Sequence, residues 1–166
     1  MNNTKDHPIR VLTLSALFAA LVFVFTAFIR IPGPLGYMHL GDGCIFLASD
    51  ALGPVSAIPA VLGSILADFA AGYPVYIPVT AVIKALIALL GAFARKKPFF
   101  PRLLILLGAE LIMVAGYCLF EFLLYGWGNA IAAVPFNLVQ GALGVVFALL
   151  LQPLFDSLLS RLRFKI

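Results

Sequence analysis

Long apolar stretches separated by short polar islands make up most of the chain. Val11–Ile29, Ile77–Ala94 and Leu103–Leu124 are nearly unbroken apolar runs. Each is close to the roughly 20 residues that a helix needs to cross a bilayer. Cys44–Ala71 is a further run, interrupted by Leu52-Gly53-Pro54 and by Pro59, and residues 134–158 close the pattern. The periodicity predicts an all-α polytopic membrane protein. Val11–Ile29 has the place of a signal peptide but not its form: it is long, it ends in "RIPGP" with no small-residue cleavage pattern, and further spans follow.

Composition agrees with the pattern. Of 166 residues 63% are hydrophobic and 11% charged, with a mean hydropathy of +1.11; a soluble domain keeps about a quarter of its residues charged. The net charge of +4 does not point to nucleic acid, because of where the basic residues stand. They gather at Lys5 and Arg10, at Arg95, Lys96, Lys97 and Arg102, and at Arg161, Arg163 and Lys165. If all three clusters face the cytoplasm, an even number of spans must separate each from the next. Splitting Cys44–Ala71 into two helices satisfies that count. The expectation is six transmembrane helices with both termini cytoplasmic, at roughly 10–30, 42–53, 55–72, 76–94, 102–125 and 134–158. The second is too short to cross unaided and is expected to be sheltered by its neighbours. Residues 31–41, 73–75 and 126–133 then lie outside.

An ionised side chain at mid-bilayer costs about 2.5–3.5 kcal/mol even on the lenient insertion scale, so charges inside spans call for a use. Topology sorts them by depth. Asp68 and Glu121 fall about four residues below the outer surface, roughly 6 Å at 1.5 Å per residue, and Lys84 roughly 12 Å. Asn137 and Gln140 share this outer half, and Tyr76, Tyr125, Trp127 and Asn129 stand near the helix mouths. Asp50 and Glu110 fall toward the cytoplasmic side. Glu110, Val114, Tyr117 and Glu121 share one face of the fifth helix, and Asn137, Gly141, Gly144 and Ala148 form a small-residue stripe on the sixth. Convergent polar groups among aromatic walls describe a small-molecule pocket opening outward. Two alternatives stay open: Lys84 pairs with Asp68 or Glu121 to hold the bundle, or it contacts ligand; Tyr125 and Trp127 stack on ligand, or they belong to an interfacial belt.

The island "GYMHLGDG", Gly36–Gly43, supplies Tyr37 and His39 as further candidate ligand contacts. Asp42 precedes the apolar "CIFLA" and is expected to cap the second helix, with Arg30 across the loop as a second partner. One His and one Asp do not make a metal shell. Cys44 and Cys118 both sit in apolar segments and form no disulfide framework. No Walker A, G-x-S-x-G or H-E-x-x-H motif is present, and no plausible nucleophile–base set is seen. An enzyme is not expected, nor is a metal or cofactor. A self-sufficient secondary transporter, with Asp68, Glu121 and Lys84 as a proton relay, remains the alternative, although no inverted repeat of that type is seen.

The stretches "GYMHLGDGCIFLASDALGP", "GSILADFAAGYPVYIPVTAVIKAL", "VAGYCLFEFLLYG" and "VPFNLVQGALGVV" resemble the substrate-binding S component of energy-coupling factor (ECF) vitamin transporters. The similarity runs from Ala16 nearly to the end and is nearest to the riboflavin-type, hydroxymethylpyrimidine-like branch. It implies one six-helix domain over residues 1–166 in the bacterial plasma membrane. Such a protein takes up a small vitamin or precursor from outside and delivers it inward, toppling on a transmembrane coupling subunit that carries two ATPases. Hydroxymethylpyrimidine or a pyridoxine-like heterocycle is the first expectation, with riboflavin behind. The resemblance assigns the Ala16/Ala20 pair on the first helix to the coupling subunit, and makes residues 33–43 a cover over the substrate. One departure stands out: "LASD" puts Asp50 where a small or apolar residue is expected.

Overall fold

The structure, a computed structural model, describes residues 6–161; Lys5, Arg163 and Lys165, part of the orientation argument, lie outside the described residues. Six α-helices follow one another: α1 Asp6–Ala27, α2 Gly41–Leu52, α3 Ala57–Ala71, α4 Ile77–Ala94, α5 Phe99–Tyr125 and α6 Trp127–Arg161. Among the described residues the regular structure is helical apart from two three-residue strands, β1 Arg30–Pro32 and β2 Tyr37–His39, which the apolar pattern did not announce. They pair antiparallel, with Arg30 opposite His39 and Pro32 opposite Tyr37. Gly33 N–H donates to Gly36 O at 2.9 Å and closes the turn between them. The connection between α1 and α2 is thus a short ribbon.

Among the described residues, five helical segments are long and apolar enough to cross a membrane: Pro8–Ala27, Gly41–Ala71, Pro74–Ala94, Phe99–Tyr125 and Trp127–Arg161. Length and apolarity therefore give five spans, one fewer than the six expected. The difference lies in Gly41–Ala71, where α2 and α3 are joined without a loop by a 3-10 turn, Gly53–Ser56. Gly53 enters that turn at φ 61°, and Pro54 follows at its start; a left-handed residue ahead of a fixed φ breaks α2 there. Alone, α2 is 12 residues, about 18 Å at 1.5 Å per residue. Gly41 through Ser49 are all buried, because α1, α4 and α6 surround the helix.

A second difference concerns residues 126–133, expected outside the membrane as a loop. Instead α6 begins at Trp127, and Gly126 alone joins it to α5. Gly126 stands at φ 79°, a conformation that lets the chain reverse in a single residue. The core consists of small and branched residues from every helix, Phe18, Val22, Ile45, Phe46, Ile87, Leu106, Met113 and Val145 among the most enclosed. Large apolar residues such as Leu12, Phe69, Leu123 and Leu150 point outward, as a bilayer-facing surface requires.

Candidate functional site

A cavity opens between the ribbon and the ends of α3, α4, α5 and α6. Gly33 to Tyr37 and His39 cover it, and Asp68, Tyr73, Tyr76, Thr80, Tyr117, Glu121, Phe136, Asn137 and Gln140 line it. Its space, open mouth and adjoining solvent included, is about 550 Å³, of which about 60 Å³ is room for water-sized atoms. The walls are aromatic. Tyr37 lies 5.5 Å from Tyr73, Tyr73 6.1 Å from Tyr76, and Tyr76 6.3 Å from Tyr117, centroid to centroid.

Hydrogen bonds fasten the ribbon over this space. Tyr37 O–H donates to Asp68 Oδ1 at 3.0 Å, and His39 N–H donates to Gln140 Oε1 at 3.2 Å. Tyr76 O–H lies 3.1 Å from Leu35 O and 3.3 Å from Glu121 Oε1; with one proton, it serves one acceptor fully at a time. Burial, together with the neighbouring Asp68, raises the Tyr37 hydroxyl well above its ordinary pKa, so it stays a donor. His39 accepts from Gly41 N–H through Nδ1 at 3.1 Å. Burial lowers its pKa to about 4, with Asp42 opposing and Lys84 adding to the fall. The ring is therefore neutral, and its proton sits on Nε2.

Three polar atoms on the cavity wall are buried without any partner: Asp68 Oδ2, Glu121 Oε2 and Asn137 Nδ2. Such orphans are costly in a finished core. In a binding site they are what a ligand satisfies.

Of the residues expected in the pocket, Tyr37, His39, Asp68, Tyr76, Glu121, Asn137 and Gln140 meet around the cavity. Lys84 is not in its wall. It lies beneath, 1% exposed, in an ion pair with Asp42 at 2.5 Å and not with Asp68 or Glu121. Gln140 bridges the two levels by donating to Asp42 Oδ2 at 2.8 Å. Tyr125 and Trp127 are exposed, and Trp127 packs on Phe122 at 4.3 Å. Asp42 does not cap α2: the cap residue is Leu40, with no side-chain cap bond. Asp42 lies one residue inside the helix, 0% exposed, where a lysine draws its carboxylate inward, and His39 takes over the first N–H. Arg30 stacks over the Tyr37 ring at 5.2 Å.

Asp50, the departure noted above, is ion-paired with Arg102 at the other end of the bundle. Ala16 and Ala20 are exposed on the outer face of α1. Tyr73, Thr80, Tyr117 and Phe136 were missed as site residues. Spacing already sets Tyr117 on the face of Glu121 without assigning it to ligand, and it points in the same way to Thr80, one turn before Lys84.

Among known families, the one described as ECF-type riboflavin transporter, S component, matches residues 7–155. The chain is 35% identical over 162 residues to a protein of Lactococcus lactis subsp. cremoris (strain MG1363) named "Thiamine precursor transporter HmpT", covering 94% of this chain and 93% of that one. It is also 37% identical over 132 residues to "Uncharacterized protein in gap 3'region" of Pyrococcus woesei, covering 75% and 87%.

Proposed function

Because the chain belongs to the S-component family of ECF-type riboflavin transporters, we propose that it captures a thiamine-precursor pyrimidine from outside for delivery by an ATP-driven coupling module. It is a multi-pass membrane protein. The observation that carries the substrate class is the orphaned set Asp68 Oδ2, Glu121 Oε2 and Asn137 Nδ2 on a tyrosine-lined wall. Two carboxylate oxygens accept from amino or hydroxyl groups, the amide donates to a ring nitrogen, and tyrosines 73, 76 and 117 face a flat ring. Hydroxymethylpyrimidine carries all of these groups, a pyridoxine-like ring most of them. The set is small for a ribityl chain. The name of the Lactococcus relative favours the same class.

Six crossings with both termini cytoplasmic belong to this reading. Its support is that both ends of Gly41–Ala71 meet at one end of the bundle: Tyr37, before the segment, bonds Asp68 and packs at a tilt against Tyr73, after it. A single straight crossing of 31 residues would part them by about 46 Å. The exposed Ala16 and Ala20 are the surface for the coupling subunit, which carries two ATPases. The proton-relay alternative lacks its lysine, since Lys84 is committed to Asp42.

The test is calorimetric titration of the purified protein, without ATP, with hydroxymethylpyrimidine, pyridoxine and riboflavin. Glu121→Ala and Asn137→Ala are each expected to weaken hydroxymethylpyrimidine binding by about 10- to 100-fold, from the worth of a hydrogen bond in a buried site. Unchanged affinity in both variants would sink the site. Uptake into vesicles holding this chain alone would sink the role of the coupling module.

A further inference from the structure

Below the cavity floor lies a closed group of charges that substrate capture does not use. Asp42 on α2 is 0% exposed, Lys84 on α4 1%, Gln140 on α6 2% and Glu110 on α5 4%. Both Asp42 oxygens are engaged, one by Lys84 and one by Gln140. Both Glu110 oxygens are buried with no partner. Glu110 lies against the bare backbone of α6: a Cβ built at Gly141 would fall 3.1 Å from its Oε2. One built at Gly144 would fall 3.5 Å from its Oε1 and 3.2 Å from Asp42 Cβ. The Glu110 carboxyl and the Cβ of Asp42 thus meet at one glycine.

The charges do not balance. Two carboxylates and one ammonium would leave a net negative charge in an enclosed interior, where an uncompensated charge is strongly unfavourable. The other groups about the cluster are Tyr117 on α5, whose ring lies 5.7 Å from Lys84 Nζ, Gln140 with Gly141 and Gly144 on α6, and Cys44 on α2 beside Asp42. Asp68 on α3, the next carboxylate within reach of Lys84, only adds negative charge. His39, which also feels Asp42 and Lys84, has an uncharged ring. One further positive charge is needed, and the cluster offers nowhere to hold a metal ion. Neither Asp42 oxygen is free, the surrounding carbonyls are spent in helices, and the lysine repels cations. No group of three metal-ligating side chains occurs among the described residues.

We propose that Glu110 is a proton-binding site: the buried cluster takes one proton, held on Glu110 as a neutral carboxylic acid at neutral pH. Asp42 and Lys84 then form a closed pair, and Glu110 sits beside them as an uncharged group that can donate its O–H. Ionisation of Glu110 would set a second negative charge beside Asp42, whose remaining bond to Gln140 leads to His39 N–H and the ribbon. The proton thereby keeps the floor and the cover of the cavity in register.

The chain has only two glutamates, Glu110 and Glu121, which makes a direct test possible without any ligand. The protein is prepared with carbon-13-labelled glutamate as Glu121→Gln, so that Glu110 is the one labelled carboxyl group, and its infrared spectrum is recorded at pH 7 in bilayer nanodiscs. The expected result is a carbon-13-shifted C=O stretch of a protonated acid that moves on exchange into D2O. Labelled carboxylate stretches in its place would overturn the proposal. The labelled parent chain provides the same readout if Glu121→Gln does not fold: the acid band should be present there and absent from Glu110→Gln. Neither measurement depends on which vitamin binds, or on whether one does.

Discussion

His39 holds its proton weakly because charging a ring enclosed beneath the ribbon would sacrifice its hydration, and the bond from Gly41 N–H needs a bare Nδ1. Its pKa is about 4 in the folded chain against an ordinary 6.5. Between these values the unfolded chain takes up the proton first. The contribution of His39 is therefore complete above about pH 6.5 and is lost as pH falls toward 4, with a slope of at most about 1.4 kcal/mol per pH unit. Melting temperatures across that window should decline in the parent chain and decline less in His39→Gln. Lys84 gives a larger effect. Lys84→Met removes the partner of a fully buried carboxylate and should cost about 3–5 kcal/mol; adding Asp42→Asn should recover much of it, as a denaturation cycle in detergent would show. Neither pairing was legible in the sequence. Depth along a helix placed Lys84 at the level of the pocket, but it does not say which neighbour lies opposite, and Asp42 looked like a cap because capping residues and buried pair partners are the same residue types.

Between elements, glycine decides where the helices touch. A Cβ on Gly43 of α2 would come 2.5 Å from Phe147 Cδ1 and 3.0 Å from Gly144 O, and one on Gly63 of α3 would come 2.6 Å from Ala19 O. At Gly63 the obstacle is backbone, which cannot rotate aside. Gly63→Ala should force α1 and α3 apart and cost about 1–3 kcal/mol, while Gly128→Ala, with nothing within 4 Å, should leave the melting temperature unlowered or raise it slightly. The faces of α5 and α6 that enclose the site were readable from 3.6-residue spacing: Glu110, Val114 and Glu121 are buried, and so are Gly141, Gly144 and Ala148. The ribbon and the one-residue turn at Gly126 were not. Three-residue strands carry too few positions to show a period, and polar residues at a mouth look the same in a loop and in a first helical turn.

At the scale of the molecule, the question is how a chain with five sufficiently long apolar segments brings Tyr37 and Tyr73 together at one end. The basic clusters implied an answer, since an even number of crossings must separate them, but the short α2 does not look like a span by length. In the six-crossing reading its burial among α1, α4 and α6 would be the physical reason: a helix shielded from lipid need not match the roughly 30 Å of hydrocarbon. Three single-cysteine variants separate the possibilities, built at exposed positions in a background lacking Cys44 and Cys118: Val55→Cys in the 3-10 turn, Lys97→Cys between α4 and α5, and Asn129→Cys at the start of α6. With six crossings, a membrane-impermeant maleimide should label Asn129→Cys in right-side-out vesicles and both Val55→Cys and Lys97→Cys in inverted ones. If Gly41–Ala71 crossed once, position 55 would lie in the hydrocarbon and resist the reagent from both sides, and Asn129 and Lys97 would still label from opposite faces. The behaviour of position 55 therefore decides the count, and the other two positions give the orientation.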